Sequence, residues 1–126
     1  MGKKRILIVE DVDTMGELLK VLVSEIPGYE VSAVVSRIRD AQLQVLRSRP
    51  HLVLLDEIMP GESSFDLLTT LVNEQIPTFL ITGLENPSHT LPPGALGRLM
   101  KPGWRTLAED RARFKEEIDR VLKVHD

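Results

Sequence analysis

Five polar side chains stand out by where they fall relative to short apolar runs. Glu10 and Asp11 follow Arg5-Ile6-Leu7-Ile8-Val9, Asp56 follows Leu52-Val53-Leu54-Leu55, Thr82 closes Phe79-Leu80-Ile81, and Lys101 follows the run from Gly97 to Met100. Short continuous apolar runs bounded by Pro, Gly or charge read as strands buried on both faces. A polar group at the C-terminal end of such a parallel strand lies on the rim where open α/β sheets bind ligands. Taken singly, each acid is better read as a turn or helix-cap residue, Thr82 as an ordinary strand-end hydroxyl and Lys101 as a solvated lysine. None of those readings explains the shared edge. Three carboxylates held close together repel one another by about 4 kcal/mol per pair at about 4 Å and an effective dielectric of about 20. Such a cluster calls for a cation. Magnesium suits it, because that ion takes oxygen from one or two carboxylates, keeps several waters and leaves room for phosphate oxygens; manganese is the natural substitute. Lys101 adds a positive point charge and Thr82 a hydroxyl donor, the means of holding a phosphoryl group during in-line transfer. An aspartate that attacks phosphorus becomes an acyl phosphate.

These side chains need a frame that delivers strand tips to one edge. Between the first two apolar runs, Met15, Leu18, Leu19, Leu22 and Val23 recur at helical spacing, with Asp13 or Thr14 as cap and Pro27-Gly28 as stop. Val31 to Val35 reads as a strand, and Ile38, Ala41, Val45 and Leu46 as the inward stripe of a helix ended by Arg49-Pro50. Beyond Gly61, Phe65, Leu68, Leu71 and Val72 line a helix that runs to about Asn73. Pro77 to Gly83 and Gly97 to Met100 supply the last strands. The final helix carries a capping box, Thr106-Leu107-Ala108-Glu109, and a stripe of Phe114, Ile118, Val121 and Leu122. This alternation of strand and helix predicts an α/β fold, a parallel sheet with right-handed crossovers and helices on both faces.

Composition narrows the functions open to such a fold. The chain has 126 residues, the size of one domain over 1–126, and 16 Lys and Arg against 19 Asp and Glu, a net charge of −3. That balance offers no footprint for nucleic acid or an anionic membrane, so direct binding to either is not expected. The absence of cysteine excludes disulfides and thiolate metal sites and fits a reducing compartment. No apolar run is long enough to span a bilayer, and Met1-Gly2-Lys3-Lys4 leads into a strand instead of a signal peptide, which predicts a soluble cytoplasmic protein. His51, His89 and His125 show no metal-like spacing and read as surface residues.

Four segments taken together, Ile8-Val9-Glu10-Asp11, Leu54-Leu55-Asp56-Glu57-Ile58-Met59-Pro60-Gly61, Leu80-Ile81-Thr82-Gly83 and Met100-Lys101-Pro102, resemble the receiver domain of two-component response regulators, and the resemblance covers essentially the whole chain. It implies a flavodoxin-like, three-layer fold with strand order 2-1-3-4-5. It also implies that Asp56 accepts phosphate from a sensor histidine kinase or phosphotransfer protein. Asp11 and Asp56, with the backbone carbonyl of Ile58, would hold magnesium, and Glu10 would act through a water. Lys101 would pair with the phosphate, and Thr82 and the backbone of Gly83 would receive it. Such a chain is a signalling phosphoacceptor, at most a catalyst of its own phosphorylation and dephosphorylation. With no effector domain after the last helix in these residues, output is expected through a downstream protein target, and a weak homodimer is a further expectation.

Two departures from the family pattern bear on that output. Receivers usually place a tyrosine or phenylalanine three residues before the Lys-Pro pair; here Arg98 stands there, and its guanidinium can reach the phosphate, reach an acidic partner or lie in solvent at the sheet edge. The segment from Gly83 to Pro93 is short, and Pro92-Pro93 remove amide donors, so the fourth helix should be shortened or missing and the face it builds altered. Two rival readings remain. Asp11-Val12-Asp13-Thr14 resembles the nucleophile motif of haloacid-dehalogenase-like phosphatases, which would use Asp11 and Asp13, but no further acid-tipped strand follows Lys101 and Asp56 would be left without a role. A phosphorylation-independent interaction module would keep the acids as a relic.

Overall fold

Apolar side chains that alternate between two faces, with no polar face at all, can only be accommodated by a strand covered on both sides. The computed structural model, which describes residues 2–83, 91–102 and 107–124, shows this arrangement. Five parallel strands, Lys4–Val9 (β1), Tyr29–Val35 (β2), Leu52–Asp56 (β3), Thr78–Thr82 (β4) and Gly97–Met100 (β5), form one sheet in the order β2-β1-β3-β4-β5. Four helices accompany them: Asp13–Ser24 (α1), Ile38–Ser48 (α2), Ser64–Asn73 (α3) and Leu107–Val124 (α4). Ile6, Ile8, Leu54 and Ile81 turn to the face where Leu19 and Leu22 of α1 pack with Phe114 and Ile118 of α4. The alternate residues Leu7, Val9, Val53, Leu55 and Leu80 meet Ala41 and Val45 of α2 and Leu67, Leu68 and Leu71 of α3. The result is the doubly wound, flavodoxin-like α/β/α sandwich.

The inner strands β3 and β4 are buried at every residue, Asp56 included, and β1 is buried from Ile6 to Val9. Removing one such leucine side chain costs about 2 to 5 kcal/mol. That rigidity holds the strand tips in register.

Helix details differ from expectation in three places. The N-cap of α1 is Val12, with no side-chain cap, not Asp13 or Thr14. Glu10 instead steadies the approach to the helix, its Oε2 accepting the amide of Val12 itself at 3.1 Å. In α2, Leu46 is 67% exposed, because Val45 already faces the sheet and the next residue lies about 100° around the helix. In α3 the inward stripe is Leu67, Leu68 and Leu71, while Phe65 and Val72 are 64% and 49% exposed. Ser63 caps this helix by accepting the Asp66 amide at 3.4 Å. The capping-box residue Thr106 lies outside the described residues.

Among the described residues no helix lies between β4 and β5, as the short, Pro-rich segment predicts; residues 84–90 lie outside that set. Gly94 adopts φ 95° and sits so close to Val72 of α3 that a β-carbon there would collide with Cγ2. No helix among the described residues is long and apolar enough to cross a membrane.

Candidate functional site

Strand register decides which polar groups meet. Val9 of β1 pairs with Leu55 of β3, so Glu10 and Asp56 leave the sheet side by side. Ladder hydrogen bonds continue past the strand ends: the Glu10 amide donates to Val35 O at 2.9 Å, the Glu57 amide to Ile81 O at 2.9 Å and the Lys101 amide to Thr82 O at 2.8 Å. Each loop therefore starts from a fixed point. Glu10, Asp11 and Asp56 each offer a carboxylate oxygen, and these oxygens lie within 4.8 Å of one another. The Lys101 ammonium bridges two of the acids, 2.6 Å from Glu10 Oε1 and 3.1 Å from Asp56 Oδ2. The second oxygen of Asp56 accepts the Ile58 amide at 3.2 Å, and the Asp56 carbonyl accepts the Ser64 hydroxyl at 2.9 Å.

Burial and crowding shift the protons of this group. Burial pushes the Asp56 carboxyl up to about 7, and its closeness to Glu10 and Asp11 adds to the rise, against the pull of Lys101. Asp11 moves the other way. Burial raises its pKa, but hydrogen bonding with Asp56 and Glu10 outweighs that and leaves it below the usual carboxylate value. Burial works against the charge on Lys101, yet contact with Glu10 and Asp56 raises its pKa, so it stays an ammonium.

Lys101 does not fully answer the acids. Glu10 Oε1 is buried and has the Lys101 ammonium 2.6 Å away as its ion-pair partner. A buried carboxylate oxygen in that state has room for a further cationic or water-borne partner. Three oxygen-only ligands converging beside it are the donor set of a hard divalent ion, and magnesium fits these residues.

The remaining expected residues fall around this centre. Thr82 is buried at the tip of β4, paired in register with Met100, and Gly83 leaves its missing side chain toward Lys101, whose Cδ would lie 3.9 Å from a β-carbon there. Ile58, 54% exposed, turns its amide to Asp56. Asp13 is exposed, in the first turn of α1. His51 is also exposed and accepts the Arg5 amide on Nδ1 at the opposite edge of the sheet, while His89 and His125 lie outside the described residues.

Arg98 takes the second of its three expected options. Its Nε and Nη2 grip Glu57 Oε1 and Oε2 at 2.8 and 2.9 Å, a two-point fork with both side chains mostly covered. Glu57 and Ser64 are the residues that sequence reasoning missed. The signal for Glu57 was its place directly after Asp56, opposite an arginine where a ring is usual.

With this geometry established, comparison with known proteins is decisive. The model of the response regulator receiver domain matches residues 6–112. The chain belongs to the response regulator receiver family. Transcriptional regulatory protein MalR of Bacillus subtilis is 35% identical over 102 residues, which are 77% of this chain and 43% of MalR. Transcriptional regulatory protein DpiA of Escherichia coli strain K12 is 27% identical over 88% of this chain and 52% of its own length. The chain thus spans about half the length of these curated relatives. Among solved structures, the response regulator domain of Thermotoga maritima CheB superposes with a TM-score of 0.79 at 18% identity, covering 96% of this chain and 97% of that one. CheY6 of R. sphaeroides, solved in complex with the P1 domain of CheA3, gives 0.77 at 17% identity over 98% and 97%. The Mn(2+)-bound form of response regulator Rcp1 gives 0.69 at 20% over 90% of each chain. These receivers share the fold, and a receiver is a signalling module in place of a classical enzyme, which removes the phosphatase reading of Asp11 and Asp13.

Proposed function

We propose that this chain is a single receiver domain in which Asp56 accepts a phosphoryl group from a sensor histidine kinase or phosphotransfer protein, and that the acyl phosphate changes the binding of a downstream protein. The observation that carries the reading is the convergence of Glu10, Asp11 and Asp56 within 4.8 Å under an ammonium that bridges two of them. In the transfer, an Asp56 oxygen forms a bond to phosphorus while the phosphorus–nitrogen bond of the phosphohistidine breaks, and the imidazole leaves with the electron pair. Asp11 and Asp56 with the Ile58 carbonyl would hold magnesium or manganese, and Glu10 would act through a water. When bound, the ion offsets the negative charge that the acids and the phosphoryl oxygens bring together. Lys101 is free to exchange a carboxylate for a phosphoryl oxygen, and Thr82 and the Gly83 amide donate to the others.

Family membership supports the phosphoacceptor role, and the CheA3–CheY6 complex and the Mn(2+)-bound Rcp1 support the partner and the ion by analogy. We place the protein in the cytoplasm, with a protein target in place of nucleic acid and at most weak self-association; its charge of −3 and lack of cysteine fit that setting. Treatment with a small-molecule phosphodonor and magnesium, followed by mass-spectrometric mapping, tests the reading. Label on Asp56, lost in Asp56→Asn and Asp11→Ala, is expected. Label on Asp11 overturns it, and no label under any donor favours the phosphorylation-independent module.

A further inference from the structure

The tip of β3 carries two consecutive acids, and β5 holds both of them across the intervening β4. Lys101, just past β5, takes Asp56 at 3.1 Å, while Arg98, within β5, takes Glu57 through two hydrogen bonds. Successive residues at a strand tip point to opposite sides, as do residues three apart, so the two cations grip the tip from both sides. The two grips differ in kind. An ammonium is a point charge that exchanges partners readily, whereas a bidentate guanidinium–carboxylate fork fixes direction as well as distance. The fork is also mostly out of water, with 15% of the Arg98 side chain and 18% of the Glu57 side chain exposed. Side chains so little exposed and joined at two points fix the backbone that bears them, here the peptide between the acceptor Asp56 and Ile58, whose amide holds Asp56 Oδ1.

We infer that Arg98 is a positioning residue for phosphoryl acceptance, acting through Glu57: its fork sets the backbone of the acceptor loop and thereby couples the loading of Asp56 to the edge strand β5. The inference rests on the receiver reading of Asp56 and adds a route for output that the family's aromatic residue cannot supply here. Coupling is reciprocal. If the fork stabilises the loaded geometry, loading must in turn change the fork, and both directions can be measured with one probe.

That probe is beryllofluoride with saturating magnesium, a stable mimic of the phosphoryl group. Arg98→Ala, Glu57→Ala and the double variant are compared with the wild type, their folding checked by circular dichroism. Each single change should weaken beryllofluoride binding about tenfold, and the double should lose no more than either single, because both residues act through one fork. Arg98→Lys should not restore binding, since an ammonium cannot make the two-point grip, while the swap Glu57→Arg/Arg98→Glu should restore part of it. Should the alanine variants not fold, Glu57→Gln/Arg98→Met, which keeps volume and removes both charges, replaces them with the same expected loss. In the wild type, the Arg98 Nε–H resonance should move on loading. Independent, additive losses, or an Arg98 variant that binds as tightly as the wild type, overturn this inference alone. Failure of the wild type to bind beryllofluoride at all overturns the receiver reading and this inference with it.

Discussion

The two edges of the sheet carry charge in opposite ways. At the entry edge, Arg5 donates to the Ser48 and Arg49 carbonyls, and Arg49 donates to Glu74 Oε2 at 2.8 Å and to the Glu74 carbonyl at 2.9 Å. Cations there meet carbonyls and the partly exposed Glu74, and among the described residues no carboxylate cluster forms at that edge. At the exit edge, acids outnumber the lysine between them, Asp56 holds its proton up to about 7, and Glu10 Oε1 is buried with the Lys101 ammonium as its ion-pair partner. The contrast teaches where stability and function separate. Entry-edge polar groups tie the strands to their connections, whereas the exit edge stores repulsion that a divalent ion and a phosphoryl group can relieve.

The strongest way to break this contrast is to remove the counter-ion. Lys101→Met should destabilise the metal-free protein by about 3 to 5 kcal/mol at pH 8, because it leaves buried carboxylates unpaired. Magnesium should restore much of that loss, since binding to the folded state alone adds stability. Urea unfolding with and without magnesium checks both halves.

Relieving the repulsion should have the opposite sign. Asp56→Asn should stabilise the metal-free protein by about 2 to 4 kcal/mol at pH 8. The sign follows from linkage. The folded-state pKa of Asp56 lies at about 7, above the ordinary carboxylate value of about 3.9, so the folded state holds the proton more tightly. That contribution is complete below pH of about 4 and is lost as pH rises through about 7. Wild-type stability should therefore fall across that window, and Asp56→Asn should remove the slope. A variant less stable than the wild type at pH 8 without metal would contradict the crowding account.

The entry edge sharpens the comparison by its small response. Glu74→Gln breaks a pair whose side chains are 61% and 34% exposed, and it should cost no more than about 1 kcal/mol. Magnesium should neither correct nor enlarge that cost, and the same unfolding series measures it.

Much of this contrast could be read from the amino-acid sequence because both of its ingredients are local. Leu52 to Leu55 can be buried on both faces only as an inner strand, and the acid that follows must then lie at its tip. Where several apolar residues competed for one face, local pattern did not decide. Phe65 and Val72 share helical spacing with Leu68, yet Leu67 points to the sheet and they do not. The start of α1 was hidden for a related reason, since the N-cap is Val12, whose side chain cannot accept and whose amide is held by Glu10, a residue assigned to the site. Least legible was the partner of Arg98. Glu57 lies 41 residues away across β4, and only strand register brings the two together.

The central claim is that the strand tips form a crowded acidic pocket that a divalent ion relieves. A pH titration of the Asp56 side-chain carboxyl by carbon-13 NMR, run without and with magnesium, tests it most directly. Without the ion the carboxyl should titrate near 7, and with it the midpoint should fall by more than one unit, with Asp11→Ala abolishing the change. A midpoint at the ordinary carboxylate value, indifferent to magnesium, would contradict the account.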